Sequence, residues 1–393
     1  MKESFIVSHP TGNTFVGAIL KELFKRDQLK AFFTTIGFGQ DSSFKNLGRR
    51  TYSIPDKLID RQILKELLRI SGLVKGNHIK TIATVDKIYK MIDRKVSVKL
   101  EKEMPDVIHS YEDCSYQTFI RAKELGIKCS YELPIAYWST NRKLMSEEAE
   151  RYPHWASTLE TLEEPEEKLV RKEDELVLAD YVTCPSEFVL KSIPYEIRKK
   201  TPCQIAYFGS PNFEPIPTWV KEKKKGFKLL FVGSMSQRKG LADLFEAMKH
   251  LSNIHVTLSI LGQPSMPMEF YRKQFAEFKY FPPCSNEKVR EIMTNHDILI
   301  LPSIAEGRAL VQQEALSCGL PIIVTPNAGG EDLVTEGKTG HIVPIRSPLK
   351  IAEKIVELIE DDITKEDRVE ICQRKSAEYS WKNYSQKIIS ISK

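Results

Sequence analysis

The stretch Asp297 to Pro344, DILILPSIAEGRALVQQEALSCGLPIIVTPNAGGEDLVTEGKTGHIVP, constrains the fold of this chain more than any other. Asp297 to Leu301 is a short apolar run, suited to a parallel strand buried on both faces, and Pro302-Ser303 end it. Glu306-Gly307 opens a segment expected to be helical from about Leu310 to Ser317. Cys318-Gly319 closes that helix, with Gly319 able to take the left-handed cap. Pro321 to Val324 is the next expected strand, Pro326 to Gly330 a loop, and Gly340 to Val343 a third strand. Strand, loop, helix, strand is a βαβ unit, and ligands on such units gather at the carboxyl ends of the strands.

Glu306 falls in the loop and Glu314 eight positions later. A helix starting near Ala309 would turn its first amides into the loop, where they and the helix dipole favour an anion. Glu306 would then accept hydrogen bonds from a polyol at the helix end, and Glu314 from a second set of hydroxyls. The plain alternative is two surface glutamates on an amphipathic helix. Upstream, the strand Phe227 to Val232 runs into the turn GSMSQRKG, Gly233 to Gly240, and then the helix Leu241 to Leu251. Arg238 and Lys239 at a strand's carboxyl end suit a diphosphate, Arg as a forked donor and Lys as a point charge.

Glu306 to Glu314, followed by CGLP, the TPNAGG loop and the upstream Arg-Lys-Gly, resembles the signature of retaining glycosyltransferases of family 4. The resemblance covers nearly all of Phe227 to Lys393 and, more weakly, the first half. It implies an α/β fold of the GT-B type: two Rossmann-like domains facing across a cleft, with a C-terminal helix crossing back to the first. It implies a donor site for a nucleotide-diphosphate sugar built from Gly233, Arg238, Lys239, Gly307, Arg308, Ala309, Leu310 and Glu314. Arg238 and Lys239 would stabilise the departing diphosphate, Glu306 would hold donor-sugar hydroxyls, and Glu314 the ribose. The loops Gly262-Gln263-Pro264 and Phe281-Pro282-Pro283 fall where the family holds the base. Where the family has an aromatic residue and glycine after Glu306-Gly307, this chain has Arg308 and Ala309. Arg308 would either bind a donor carboxylate or diphosphate, or turn outward.

In the first half, Glu3 to Ser8 reads as a strand, His9 to Asn13 as a turn and Thr14 to Lys25 as an amphipathic helix. There is no GxGxxG or Walker loop here. The family's glycine-rich turn is represented by Gly12 alone; Gly12 and Asn13 are the acceptor-side candidates, a structural turn being the alternative. Asp106 to Ser110 is a strand with HSYEDCS at its end. The family often has His-x-His there. His109 matches the first and Tyr111 stands in place of the second; both are candidates for the cleft and for catalysis at the reacting sugar, a structural histidine being the alternative.

Lys57 to Lys102 holds twelve Lys or Arg against five Asp or Glu, a balance of +7, and Lys57 to Ile70 reads as an amphipathic helix. Such a helix suits an anionic membrane surface, or is simply a solvated face. The acidic stretch Ser146 to Ala179 reads as a solvated helical excursion. Pro211, Pro215, Pro217 and a Lys run mark a linker. The expected domains are therefore 1–210, a linker 211–226, a donor domain 227–378 and a returning helix 379–393.

At 393 residues the chain has room for about two domains. Its net charge of +5 is too weak to argue nucleic acid. Seven cysteines without a Cys-x-x-Cys pair argue against a disulfide framework or zinc site and suit a reducing cytoplasm. The first residues, MKESFIVSHP, suit a strand rather than a signal peptide, and no apolar run reaches the ~18 residues that span a bilayer. No Asp-x-Asp stands at an apolar strand end, so no metal and no cofactor beyond the substrate nucleotide is expected. The expected partners are a nucleotide-sugar donor, a glycan or lipid-linked acceptor and an anionic membrane face. The rival readings are a non-catalytic nucleotide-sugar or polysaccharide binder, and an epimerase or phosphorylase on the same fold.

Overall fold

The structure, a computed structural model, describes residues 2–44, 50–62, 78–211 and 226–391. The expected linker lies almost wholly outside the described residues, as does most of the expected helix Lys57 to Ile70.

The first domain is built from β1 (Phe5–Ser8), β2 (Leu29–Thr34), β3 (Phe38–Gly39), β4 (Thr51–Tyr52), β5 (Ile59–Arg61), β6 (Val107–Tyr111), β7 (Lys128–Glu132), β8 (Tyr181–Cys184) and β9 (Cys203–Ile205). Seven of these form a sheet in the order β5-β2-β1-β6-β7-β8-β9, every described pair parallel. The second sheet contains β10 (Phe227–Val232), β11 (Val256–Leu261), β12 (Phe278–Phe281), β13 (Ile298–Leu301), β14 (Ile322–Val324) and β15 (Gly340–Ile342). Its order is β12-β11-β10-β13-β14-β15, again parallel. The central runs, FIVS in β1 and ILIL in β13, are buried at every residue, as strands covered on both faces by helices must be.

Strand order reverses between β1 and β6 in the first sheet and between β10 and β13 in the second. At such a switch the two connections leave in opposite directions and open a crevice beyond the carboxyl ends of the strands. His9 to Gly12 follow β1, and Tyr111 is the last residue of β6. Gly233 to Gly240 and Pro302 to Arg308 follow the switch strands of the second sheet.

The helix Trp381–Ile391 returns to the first domain. Tyr384, Ile388 and Ile389 pack among Phe15, Leu20 and Phe208, and the Tyr384 hydroxyl donates to Glu132 Oε1 at 2.6 Å. The backbone carries the contact too: a Cβ at Gly209 would lie 2.2 Å from the Trp381 nitrogen.

Two sequence expectations need correction. The stretch from Lys57 is not helical where it is described. It passes through one tight turn, Asp56–Leu58, into edge strand β5 beside β2. Asp56 fixes that turn by accepting from the Gly39 amide at 2.8 Å and pairing with Arg61. Part of the basic charge beyond it is also taken up: Lys90 pairs with Asp86 at 3.1 Å and Glu167 at 2.8 Å, and Lys95 with Asp60.

The acidic excursion is not a solvated arm. The helix Trp138–Arg151 and the turn Pro153–Thr158 form a strap that packs on the second domain. Trp155 is only 2 % exposed and sits with Phe245, Phe270 and Tyr271 of that domain. Arg151 makes a forked bond to Asp243 (2.6 and 3.1 Å), and Glu148, fully buried, accepts from Gln237 and Arg346. The excursion buries Trp155 and several of its charges, while Glu150, Glu163, Glu166 and Glu167 face water.

Candidate active site

At the switch of the second sheet, the loops after β10 and β13 are stapled together. Arg238 O accepts the Ile304 amide at 2.9 Å, and Arg238 Nη1 donates to Ala305 O at 3.1 Å. Two glycines permit the approach. Gly240 has φ +74°, and a Cβ there would lie 2.0 Å from Pro302 O; Gly233 has φ +150° and lies under the Lys239 side chain.

This closure puts Glu306 between the two cations. Its Oε1 lies 2.5 Å from Arg238 Nη1 and 2.6 Å from Lys239 Nζ. Burial pushes the Glu306 carboxyl up, but Arg238 and Lys239 more than offset it, and it is held below the usual carboxylate range. Burial lowers the Lys239 ammonium, against the pull of Glu306. Two cations against one carboxylate leave a positive charge at a low-dielectric strand end, which suits a polyanion more than a neutral ligand.

The helix Leu310–Ser317 starts where expected, and no side chain caps it. Glu314 is half-buried one turn along. Among the described residues its carboxylate has no hydrogen-bond or ion-pair partner, and burial raises its pKa. A carboxylate left unpaired in a partly desolvated place has acceptor capacity for a hydroxyl-bearing ligand.

Gly307 is held across the interdomain boundary. A Cβ there would lie 1.7 Å from Pro134 O, and Gly307 O accepts from Ser186 Oγ at 2.6 Å. Ser186 also caps the helix Glu187–Ser192, accepting from the Val189 amide at 3.3 Å. Ala309 is buried, and Leu310 packs against the first-domain core.

Arg308 does not reach toward a donor, contrary to the sequence expectation. Its guanidinium makes a forked bond to Asp332 (2.7 and 2.9 Å), donates to Gly329 O at 3.0 Å and Gln313 Oε1 at 3.1 Å, and lies against Tyr207 and Tyr379. A guanidinium with its donors so engaged and its side chain 0 % exposed is a structural rivet. It is not the partner of Glu306.

The first domain treats its strand-end groups differently. His109 is buried inside β6, its Nδ1 2.9 Å from Ser130 Oγ and its Nε2 3.6 Å from Glu132. The expectation of a cleft-facing catalytic histidine is corrected: Glu132, itself bonded to Tyr384, draws His109 into an internal network. Tyr111 is half-buried, its ring 4.1 Å from His9, and no hydrogen-bond partner is recorded for its hydroxyl among the described residues. Asn13 Oδ1 caps the helix Thr14–Lys25 through the Val16 amide. Gly12, at φ +57°, is required by Tyr52, whose hydroxyl oxygen a Cβ would approach to 1.7 Å.

His9 was missed by sequence reasoning. Burial pushes its pKa down to about 3, so the ring is neutral. Its Nδ1 accepts from the Gly12 amide at 2.9 Å, which places the proton on Nε2, buried and without a partner. Its position directly after β1 was the available signal. A hollow of about 760 Å3 beside Lys228, Phe278 and Asn295 lies at the amino ends of the second sheet, away from these groups.

Residues 214–375 match the family described as "Glycosyl transferases group 1". Among curated relatives, the D-inositol 3-phosphate glycosyltransferase of Paenarthrobacter aurescens (strain TC1) is 26% identical over 166 residues, 39% of this chain and 41% of the relative. An uncharacterized glycosyltransferase of Methanocaldococcus jannaschii is 23% identical over 207 residues, 52% of this chain and 56% of the relative. The matched segments thus span about half the length of these relatives or less. Among solved structures, sucrose-phosphate synthase from Thermosynechococcus elongatus superposes with a TM-score of 0.65 at 15% identity, covering 99% of this chain and 98% of that one. Anabaena HepE in complex with UDP-glucose gives 0.60 at 16% identity, covering 99% of each chain. The chain therefore has the GT-B fold, and its residues 214–375 match the group 1 glycosyl transferases.

Proposed function

We propose that this chain is a retaining glycosyltransferase of the family 4 type, moving a hexosyl group from a nucleotide-diphosphate sugar to a glycan or lipid-linked glycan acceptor in cell-surface polysaccharide synthesis. The observation that carries the reading is the Arg238–Glu306–Lys239 cluster at the switch of the second sheet, followed by a helix that carries Glu314 one turn in. That HepE was solved with UDP-glucose supports a nucleotide-sugar donor. In this reading Arg238 and Lys239 bind the diphosphate and stabilise the charge that grows on it as the glycosidic bond breaks. Glu306 orients the two cations and accepts from donor-sugar hydroxyls; Glu314 accepts from the ribose. The amides from Gly307 to Leu310 add helix-end dipoles. Tyr111 contributes a hydroxyl from the first domain, beside the Gly12 turn on the acceptor side.

With two cations on the leaving group, no metal is required for charge neutralisation, and turnover is expected to survive a chelator. The enzyme would act in the cytoplasm, peripherally on the inner membrane face, through the basic stretch 57–102. Sedimentation with anionic vesicles at low and high salt tests that attachment. No helix among the described residues is long and apolar enough to cross a membrane. The test of the function is a thermal-shift screen of nucleotide sugars followed by an assay of nucleoside diphosphate release. Release that depends on added acceptor supports transfer. Binding without release under any acceptor favours the binding-protein reading.

A further inference from the structure

The turn that carries the two cations, Gln237–Lys239, is held by the other domain. Gln237 is fully buried. Its amide nitrogen donates to Thr158 Oγ1 at 3.1 Å. Its side-chain Nε2 donates to Glu148 Oε2 at 2.6 Å and Asp243 Oδ2 at 2.8 Å, and its Oε1 accepts the Ala242 amide at 2.9 Å. Thr158 and Glu148 both belong to the strap. The Thr158 hydroxyl proton goes to Trp155 O at 2.7 Å, which leaves its lone pair for Gln237. The other oxygen of Glu148 takes Arg346, and Arg151 neutralises Asp243. Trp155, buried in the second-domain core, anchors the segment.

The turn is thus gripped from two sides: by the Glu306 loop on one, through Arg238 O and Glu306 itself, and by the strap on the other. The strap's grip is unusual in its source. It is polar, fully buried and supplied by a segment of the first domain, and it ends one residue from Arg238. A buried hydrogen bond with defined geometry fixes a backbone more sharply than apolar contact, because a small displacement leaves a desolvated donor unpaired.

We propose that Glu148 and Thr158 are positioning residues for the donor diphosphate, setting the turn from which Arg238 and Lys239 reach it. The inference rests on the reading of Arg238 and Lys239 as the diphosphate cations. Neither strap residue touches the donor; each acts through Gln237. Loosening the turn should therefore weaken recognition of the second phosphate while leaving the nucleoside end unaffected.

Calorimetric titration provides the readout. A thermal-shift screen of common nucleoside diphosphates selects the base, and wild type is titrated with that diphosphate and the matching monophosphate. The ratio of the two dissociation constants measures recognition of the second phosphate. In Thr158→Val, which keeps shape but removes the acceptor, the ratio should fall about fivefold, the loss of one buried hydrogen bond. Monophosphate affinity should stay within about twofold. Glu148→Gln should act in the same direction, and Thr158→Ser should restore the wild-type ratio. A folded Thr158→Val with the wild-type ratio overturns the inference even if Glu148→Gln fails to fold. Lys239→Ala separates this from failure of the underlying reading: a wild type indifferent to the second phosphate, or a Lys239→Ala that keeps its preference, overturns the donor assignment and the inference with it.

Discussion

The two sheets have the same parallel architecture and the same kind of switch point, yet they spend their strand-end polar groups in opposite ways. In the second domain, Arg238, Lys239 and Glu306 converge on one another with a cation to spare, and Glu314 has no partner among the described residues. In the first, His109 and Glu132 are absorbed by Ser130 and Tyr384, and Asn13 by a helix end. One half offers uncommitted charge to a ligand. The other offers neutral groups: Tyr111, the His9 Nε2–H and the backbone around Gly12. A binding site is marked by strand-end groups that the fold itself does not consume, and by that measure the strong binding function lies in the second domain.

The strap blurs this contrast, since part of the first domain is packed into the second. Trp155→Ala is expected to cost about 3–5 kcal/mol, as for other large aromatics removed from cores. The loss should show as faster hydrogen exchange in β10 and the helix Leu241–Lys249, both second-domain elements. Exchange that rises only in the first domain would return the strap to that half. Lys239→Ala tests the charge contrast: it should lose about 2–3 kcal/mol of transition-state stabilisation, read as a fall in kcat/KM, because one charged bond to the leaving group is lost. Unchanged kinetics would remove the second domain's advantage.

Smaller effects sharpen the first-domain side. If the Tyr111 hydroxyl serves the acceptor side as proposed, Tyr111→Phe should cost about 1 kcal/mol in kcat/KM with little change in melting temperature. Glu112 gives a pH signature. Burial holds its carboxyl up at about 7, against the pull of Lys172, with Asp113, Glu164 and Lys168 also facing it. The folded state therefore holds the proton more tightly than the unfolded chain. That contribution is complete below the unfolded value near 4.5 and is lost as pH rises through about 7. Melting temperature across this window should fall for wild type relative to Glu112→Gln; parallel profiles would contradict the assignment.

The second domain was legible in the sequence because its signals are local. Strand β10 and the helix Leu310–Ser317 fall where apolar runs and bounding glycines put them, and Arg238, Lys239 and Glu306 all follow strands directly. Arg308 was not legible, because its partners Tyr207, Asp332 and Tyr379 come from segments far apart in the chain. The strap was hidden by its own composition. Its glutamates suggested a solvated helix, although Tyr152, Pro153 and Trp155 interrupt them with the aromatic and helix-breaking residues of a buried turn. His109 was misplaced because a histidine late in a strand looks the same in sequence whether it faces a cleft or a buried glutamate.

The most direct test of the account is Glu306→Gln, with melting temperature and nucleoside diphosphate release measured on the same preparation. The substitution keeps the shape and one acceptor oxygen but removes the charge between Arg238 and Lys239. The account predicts that turnover falls by about 100-fold or more, the scale of losing one electrostatic group at a reacting centre. It predicts a melting temperature only a few degrees lower, because the two cations keep an oxygen partner. A folded variant with wild-type turnover would contradict the account.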